Sequence, residues 1–228
     1  FKNNLNPKDL NFPIVVKPTN LSGGRGIKIV TNQFELNNAL QKAQALSDDV
    51  FLEEFIEGRL IAYSVFLRNQ KIIYAFSGAD DTYLNKYLIT TAYPIVLDKE
   101  VKQKLKININ KIAKLLNLVD GMFHLQVIIK NNIPYIIDVT RRIAGDLYPN
   151  LIEYCDKIKY SQAVVKAYIK YDITDEFTQI QEKDFVVRHV VMPSRNGIYM
   201  GISINNSIKK NILYKLDLMQ TNTLINDY

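Results

Sequence analysis

GMFHLQVIIK (121–130), NN (131–132) and IPYIIDVT (133–140) read as two strands joined by a two-residue turn. Asn131-Asn132 is the clearest turn signal in the chain, because tight hairpin loops need positive φ and Asn tolerates it. Alternate strand residues share a face, so Asp138 and Thr140 project together, and Gln126 can lie across from them on the partner strand. Arg141 and Arg142 follow directly. Three oxygen-bearing side chains beside an arginine suit a hard cation held together with a phosphate. The same residues also suit a hairpin with a merely polar outer face, and Asp138 with Arg142 also suits a structural ion pair.

Working outward, Asp98 is expected to cap a long amphipathic helix to about Leu118, with Val101, Leu105, Ile109, Ile112, Leu115 and Leu116 along its apolar side. A further helix is expected from about Asn150 to Lys170, then strands at Phe185–Met192 and Gly197–Ile204. Toward the N-terminus, FPIVVK (12–17) is a buried-strand run, stopped by Pro18. Ser22-Gly23-Gly24-Arg25-Gly26 then leads into a short strand, Ile27–Val30. Thr31 or Asn32 can cap a helix from Gln33 to Leu46, with Phe34, Leu36, Ala39, Leu40, Ala43 and Leu46 along one side. Val50–Phe55, Ile61–Leu67 and Lys71–Phe76 read as three strands. The order ββα-βββ-α-ββ-α predicts an α+β protein with antiparallel sheets rather than a doubly wound parallel one.

Composition removes several classes. Hydrophobic residues make up 47% and charged residues 23%, the balance of an ordinary globular chain. No apolar run approaches the roughly 18 residues a membrane-spanning helix requires. The net charge of +6 is spread along the chain, and its densest cluster, Lys99–Lys114, alternates with apolar residues as a solvated helix face does. A nucleic-acid partner is therefore not expected. The single Cys155 excludes an internal disulfide and leans toward a reducing, cytoplasmic setting.

Three stretches carry chemistry. Glycines let backbone N–H groups approach phosphate oxygens, and Arg25 and Lys28 add charge to the loop. Alone, SGGRG also fits a plain hairpin loop. It lacks the Lys-Ser/Thr ending of a P-loop and enters a strand, not the helix of a dinucleotide fingerprint. With three glycines in five residues and no apolar anchor, the loop is expected to await phosphate before ordering. Lys17 closes a buried strand just before it, so its ammonium needs either a partner or water. In FLEEFIEG (51–58), acidic residues stand at a strand exit, where a carboxylate and exposed amides can read a base edge. His124 shares a face with Gln126 but suits a hydrogen-bonded sheet histidine better, and His189 suits a structural role.

Taken together, VVKP (15–18), SGGRGI (22–27), FLEEFIEG (51–58), GMFHLQV (121–127) and IIDVTRRIAG (136–145) resemble the ATP-grasp superfamily, closest to its biotin carboxylase and carbamoyl-phosphate synthetase branch. The resemblance covers about Phe12 to Lys170. It implies two α+β lobes with antiparallel sheets gripping ATP: a lid lobe over 1–78, a large lobe over 79–175 and a β-rich extension over 176–228. It implies that Lys17 and the loop Gly23, Gly24, Arg25 and Gly26 meet the phosphates, and that Glu53 faces the adenine amine. The backbone of Phe55 and Ile56 would contact the ring. Gln126, Asp138 and Thr140 fall on the three positions that hold Mg²⁺ (or Mn²⁺), and Arg142 on the arginine that steadies the transferred phosphoryl group.

The chain departs from the family pattern in places. Gln126 stands where Glu is usual, Asp138 replaces the commoner Glu, and Thr140 stands where Asn is usual. The activity implied is an ATP-dependent carboxylate ligase, in which a carboxylate becomes an acyl phosphate that an amine or other nucleophile attacks. The alternatives are an ATP-grasp kinase and a non-catalytic nucleotide-binding module. The implied partners are small-molecule carboxylate and nucleophile substrates and an N-terminal domain of the same protein. Neither nucleic acid nor membrane is among them, and a homo-oligomer is left open.

Overall fold

The structure, a computed structural model, describes residues 11–21, 23–83, 88–177 and 184–226. The chain divides into two units, Phe1–His189 and Val190–Tyr228.

The first unit begins with β1 (Ile14–Pro18), β2 (Lys28–Val30), α1 (Gln33–Gln44) and β3 (Val50–Glu54). The strands form an antiparallel sheet in the order β2-β1-β3. In β1, Ile14 and Val16 are buried against Leu36, Ala39 and Ala43 of α1, while Val15 and Lys17 alternate to the other face. Asn32 caps α1: its side chain accepts from the Glu35 N–H, and the Glu35 carboxylate reaches back to the Thr31 N–H at 2.8 Å. This reciprocal pair satisfies two donors that a helix start leaves open. Two residues expected on the core side of α1 lie outside it. Phe34 is 77% exposed, and Leu46, which falls past the helix end at Gln44, is 52% exposed.

A second, six-stranded sheet follows. Its strands are β4 (Arg59–Arg68), β5 (Lys71–Thr82), β6 (Ile89–Pro94), β7 (Gly121–Lys130), β8 (Ile133–Thr140) and the short β9 (Arg188–His189). All pairs are antiparallel, in the order β8-β7-β4-β5-β6-β9. Positive φ at Asn69 and Gln70, and at Asn131 and Asn132, makes the two tight hairpins, as the sequence leads one to expect. The sheets part between β3 and β4, so residue 78, the expected lobe boundary, falls inside β5. β4 is a central strand buried on both faces from Ile61 to Leu67, and it needs β5 and β7 as partners.

Each face of this sheet has its own helices. On one, α2 (Lys99–Leu115) lays Val101, Leu105, Ile109 and Ala113 onto Ile61, Val65, Phe123, Leu125 and Val127. Leu115 and Leu116, expected in that row, are exposed instead. Asn117 turns left-handed there, and the Leu118 N–H folds back to the Ala113 carbonyl at 2.8 Å, ending the helix. Asp98 starts α2 through its carbonyl, which accepts from the Lys102 N–H, and its carboxylate makes no capping bond. On the other face sit α3 (Tyr148–Asp156) and α4 (Tyr160–Tyr168), against Ala62, Phe66, Tyr74 and Phe76. A single helix over Asn150–Lys170 is expected from sequence, but Lys157 at φ +55° breaks it in two.

The second unit has few regular elements: β10 (Gly197–Ile198), α5 (Asn206–Lys209) and β11 (Leu224–Ile225). The expected strands at Phe185–Met192 and Gly197–Ile204 shrink to two residues each, so the tail is not β-rich. Apolar residues such as Met200, Leu213 and Leu218 stay exposed, without neighbouring strands on which to alternate.

Candidate functional site

In the small sheet, Lys17 and Glu53 meet. Val15 pairs with Glu53 and Lys17 with Phe51, so the side chains of Lys17 and Glu53 lie two residues apart on the face away from α1. Lys17 Nζ donates to Glu53 Oε2 at 2.5 Å. The ammonium expected to seek a phosphate and the carboxylate expected to seek an adenine amine are thus partners of each other here. Phe55 was expected to offer its backbone to the ring, but its N–H is committed to the Pro13 carbonyl at 3.0 Å, which leaves its carbonyl. Ile56 directly follows and is half-buried.

Of the glycine loop, Ser22 lies outside the described residues. Gly23, Gly24 and Gly26 all adopt positive φ, and the Ile27 N–H bonds the Gly24 carbonyl at 3.2 Å. Arg25 at its tip is exposed. The loop does have an apolar anchor, contrary to expectation: a Cβ at Gly26 would lie 2.8 Å from Pro18 and 3.2 Å from Leu46. Leu46 supplies it from the end of α1, beyond what local spacing reveals.

In the large sheet, the ladder aligns two rows on the face away from α2. One runs Asp138–Gln126–Ala62–Gly78, the other Thr140–His124–Ser64–Phe76. A β-bulge makes the first row possible. Gln126 pairs with Asp138 but Val127 with Ile136, which leaves Ile137 as the extra residue. The bulge shifts the alternation, so Ile136 packs with the α2 cluster while Asp138 and Thr140 share the face of Gln126. Asp138 is exposed, with Oδ1 accepting from the Val139 N–H at 2.9 Å. Arg142 is exposed as well, its backbone N–H at 3.4 Å from Thr140 Oγ1 and its Nη1 on the Ile143 carbonyl. Arg141 points elsewhere and clamps the carbonyls of Val119, Asp120 and Gly121.

His124 is a sheet histidine, with Nδ1 2.7 Å from Ser64 Oγ. Burial pushes its imidazole below the ordinary histidine value, and the charges of Asp146 and Asp138 oppose that push. His189 Nδ1 meets Thr91 Oγ1 at 2.8 Å where β9 joins β6.

The donor set for a metal is one carboxylate, one amide oxygen and one hydroxyl. All are hard oxygens, and Mg²⁺ takes one or two carboxylates with phosphates and water completing its shell. The set fits a magnesium ion that arrives with a polyphosphate. Among the described residues, no three His, Cys, Asp or Glu side chains gather to hold a metal by themselves.

Ser64 in the second row, and Asp80, Asp146, Tyr148 and Arg188 beside the rows, are not apparent from the sequence reading. Burial pushes the Asp80 carboxyl up to about 7, with Asp146 adding to the rise and Arg188 opposing it. Arg188 Nη2 lies 3.1 Å from Asp146 Oδ2. Tyr148 packs edge-on to Phe76 and His124, and burial raises its phenol well above the ordinary tyrosine value. An arginine inside the apolar run FVVRHVV (185–191) was a usable signal, since a cation placed there needs a partner. Asp80 and Tyr148 gave none, being brought together only by the sheet and α3.

A family model described as "D-ala D-ala ligase C-terminus" matches residues 3–139. The carbamoyl phosphate synthase large chain of Sulfolobus acidocaldarius is 24% identical over 184 residues, covering 78% of this chain and 17% of that protein. A D-alanine–D-alanine ligase of Prochlorococcus marinus is 31% identical over 110 residues, covering 46% of this chain and 31% of the relative. Among solved structures, an L-amino acid ligase from Bacillus licheniformis superposes with a TM-score of 0.79 at 20% identity, over 96% of this chain and 55% of that one. The chain thus spans less than a third of these curated relatives and about half of the solved structure.

Proposed function

The chain belongs to the D-ala D-ala ligase C-terminus family and has the α+β ATP-grasp fold, and from that premise we propose that it is the nucleotide-gripping part of an ATP-dependent carboxylate–amine ligase. The three-stranded sheet with its glycine loop serves as the lid lobe, and the six-stranded sheet carries the reacting groups. The observation that carries the reading is the shared row of Gln126 and Asp138, with Thr140 beside it, on a sheet face left open next to Arg142.

In this reading Lys17 exchanges Glu53 for the nucleotide phosphates, which frees the Glu53 carboxylate to accept from the adenine amine. Gly23, Gly24 and Gly26 bring backbone N–H groups against phosphate oxygens, and Arg25 adds charge. Gln126, Asp138 and Thr140 would hold Mg²⁺, which offsets phosphate charge when bound. Arg142 steadies the phosphoryl group as it passes from ATP to the substrate carboxylate. An amine then attacks the acyl carbon of that acyl phosphate, and inorganic phosphate leaves. A small-molecule carboxylate, an amine and a further domain of the same protein are the partners, in a cytoplasmic setting. No helix among the described residues is long and apolar enough to cross a membrane.

The test is Asp138→Asn in the full-length protein. Magnesium-dependent ADP release should fall roughly 100-fold while the fold is kept. Hydroxylamine should trap the wild-type intermediate as a hydroxamate, whereas a stable phosphoester in its place would mean a kinase. Unchanged turnover in the variant would overturn the assignment. The single carboxylate of the metal row favours one second reading, a nucleotide-binding module without turnover. That outcome would appear as ATP binding with no ADP released.

A further inference from the structure

We infer that Arg141 is a positioning residue for the phosphoryl-transfer site: it fixes the point where β8 leaves the sheet, and so places Thr140 before it and Arg142 after it. The inference rests on the ligase reading above, in which Arg141 itself touches neither nucleotide nor metal.

The guanidinium is spent on backbone. Its Nη2 donates to the Val119 carbonyl at 2.7 Å and to the Asp120 carbonyl at 3.2 Å, and its Nη1 to the Gly121 carbonyl at 3.4 Å. A planar fork reaches acceptors on three consecutive residues, which the single point charge of a lysine does not. Gly121 makes room for it: φ is +129°, and a Cβ there would lie 3.3 Å from Nη2 and 3.5 Å from the Ala167 Cβ. The backbone of Arg141 is tied as well, since its carbonyl accepts from the Tyr168 hydroxyl of α4 at 2.9 Å. Tyr168 is 69% exposed, so removing that hydroxyl disturbs no core.

The anchor is itself fixed. Asp120 Oδ1 accepts from the Asn69 N–H at 2.7 Å, and Asn117 Oδ1 accepts from Gln70 Nε2 at 2.9 Å. These bonds bind the turn before β7 to the β4–β5 hairpin. The clamp therefore runs from that hairpin, through the start of β7, to the exit of β8.

That exit is where the sheet gives least support. β8 ends the strand order, paired with β7 alone among the described residues, and His124 with Thr140 is the last pair of its ladder. Beyond it Arg142 is exposed, and its N–H reaches Thr140 Oγ1 at a long 3.4 Å. Ile143 and Ala144 then pack on the apolar layer under α3 and α4. With Arg141 held, Arg142 stands between two fixed points. Side chains that hold a metal or meet a transferred phosphoryl group must be placed within about 0.5 Å. The residue between Thr140 and Arg142 supplies that placement.

The experiment compares Arg141→Met, Arg142→Met, their double variant and Tyr168→Phe in the full-length protein, by steady-state ADP release and amide hydrogen exchange. Arg141→Met should lower kcat roughly 10-fold or more while changing the KM for ATP less than about 3-fold, because Lys17 and Glu53 lie in the other sheet. Amides of 140–143 should exchange roughly 10-fold faster. Ethylguanidinium should restore part of the turnover in Arg141→Ala. Adding Arg141→Met to Arg142→Met should cost less than about 3-fold more, since one residue acts through the other. Tyr168→Phe should repeat the pattern at about 3-fold in kcat. If Arg141→Met fails to fold by its thermal melt, Tyr168→Phe carries the comparison. Unchanged exchange at 140–143, or losses that multiply in the double variant, overturn the positioning role. So does an early melt with normal turnover per folded molecule. A wild type that binds Mg-ATP without releasing ADP overturns the ligase reading. Positioning then stands if Arg141→Met weakens the magnesium dependence of ATP binding, and falls if that dependence is unchanged.

Discussion

The two faces of the six-stranded sheet are built from the same strands, yet they do opposite work. On the α2 face, Ile61, Val65, Phe123, Leu125 and Val127 meet Val101, Leu105 and Ile109 in an unbroken apolar layer. On the α3 face, Ala62 and Phe66 start a comparable layer, but Ser64, Gly78, Asp80, His124, Gln126 and Asp138 interrupt it. The difference teaches that helix cover, more than strand composition, separates scaffold from candidate site. A 17-residue helix closes one face, while two 9-residue helices leave part of the other to polar side chains.

The largest effect expected is on the polar face and depends on pH. With its folded value raised by burial to about 7 from the ordinary 3.8, Asp80 keeps its proton when folded and loses it more readily when unfolded. Its contribution to stability is therefore full below pH 4 and is lost as pH rises toward 7, since the unfolded chain binds fewer protons across that window. The full shift corresponds to roughly 4 kcal/mol as an upper bound. Asp80→Asn should flatten this decline, leaving the variant more stable than wild type at pH 8. Chemical denaturation from pH 4 to 8 checks it, and parallel profiles for the two proteins would contradict the assignment.

Next in size is the apolar face. Leu125 is fully buried in the α2 layer, so Leu125→Ala should cost about 3 kcal/mol through lost burial and a cavity. Affinity for Mg-ATP should stay the same in the folded fraction. A loss of nucleotide affinity larger than the loss of stability would break the division of labour between faces.

Gly78→Ala sharpens the comparison at a single methyl group. The added carbon meets a Tyr148 hydroxyl whose ring is wedged by Phe76 and His124, so about 2 kcal/mol of overpacking strain is expected. Combining it with Tyr148→Phe should recover part of the loss in a thermal melt. An additive pair of changes would mean that the two residues do not touch.

Smallest is the stability effect of Asp138→Asn, expected within about 0.5 kcal/mol because the side chain is exposed. A large loss of stability would make Asp138 a structural residue and remove it from the proposed magnesium-holding set.

Much of this was legible locally. Asn131-Asn132 announced its hairpin because positive φ is a property of two residues, and strand β1 follows from a run of β-branched residues stopped by proline. Thr31 or Asn32 marked the start of α1 in the same way, and Asn32 is the cap. The long helix expected over Asn150–Lys170 failed because periodicity does not register one left-handed residue, Lys157. Exposure of Phe34 and Leu115 was equally invisible, since an apolar residue on a helix is buried only if a neighbouring element reaches it.

The sequence by itself determined the antiparallel hairpins, the strand lysine before a glycine loop, and the residue types of the Gln126, Asp138 and Thr140 set. These follow from period, turn chemistry and charge within about a dozen residues. Only the tertiary structure decided that a bulge at Ile137 turns Asp138 onto the face of Gln126, that Lys17 rests on Glu53, and that Asp80 and Arg188 share a row through Ala92. Register and long-range pairing depend on which strands become neighbours, and residues more than a hundred positions apart carry no mark of it in their local order.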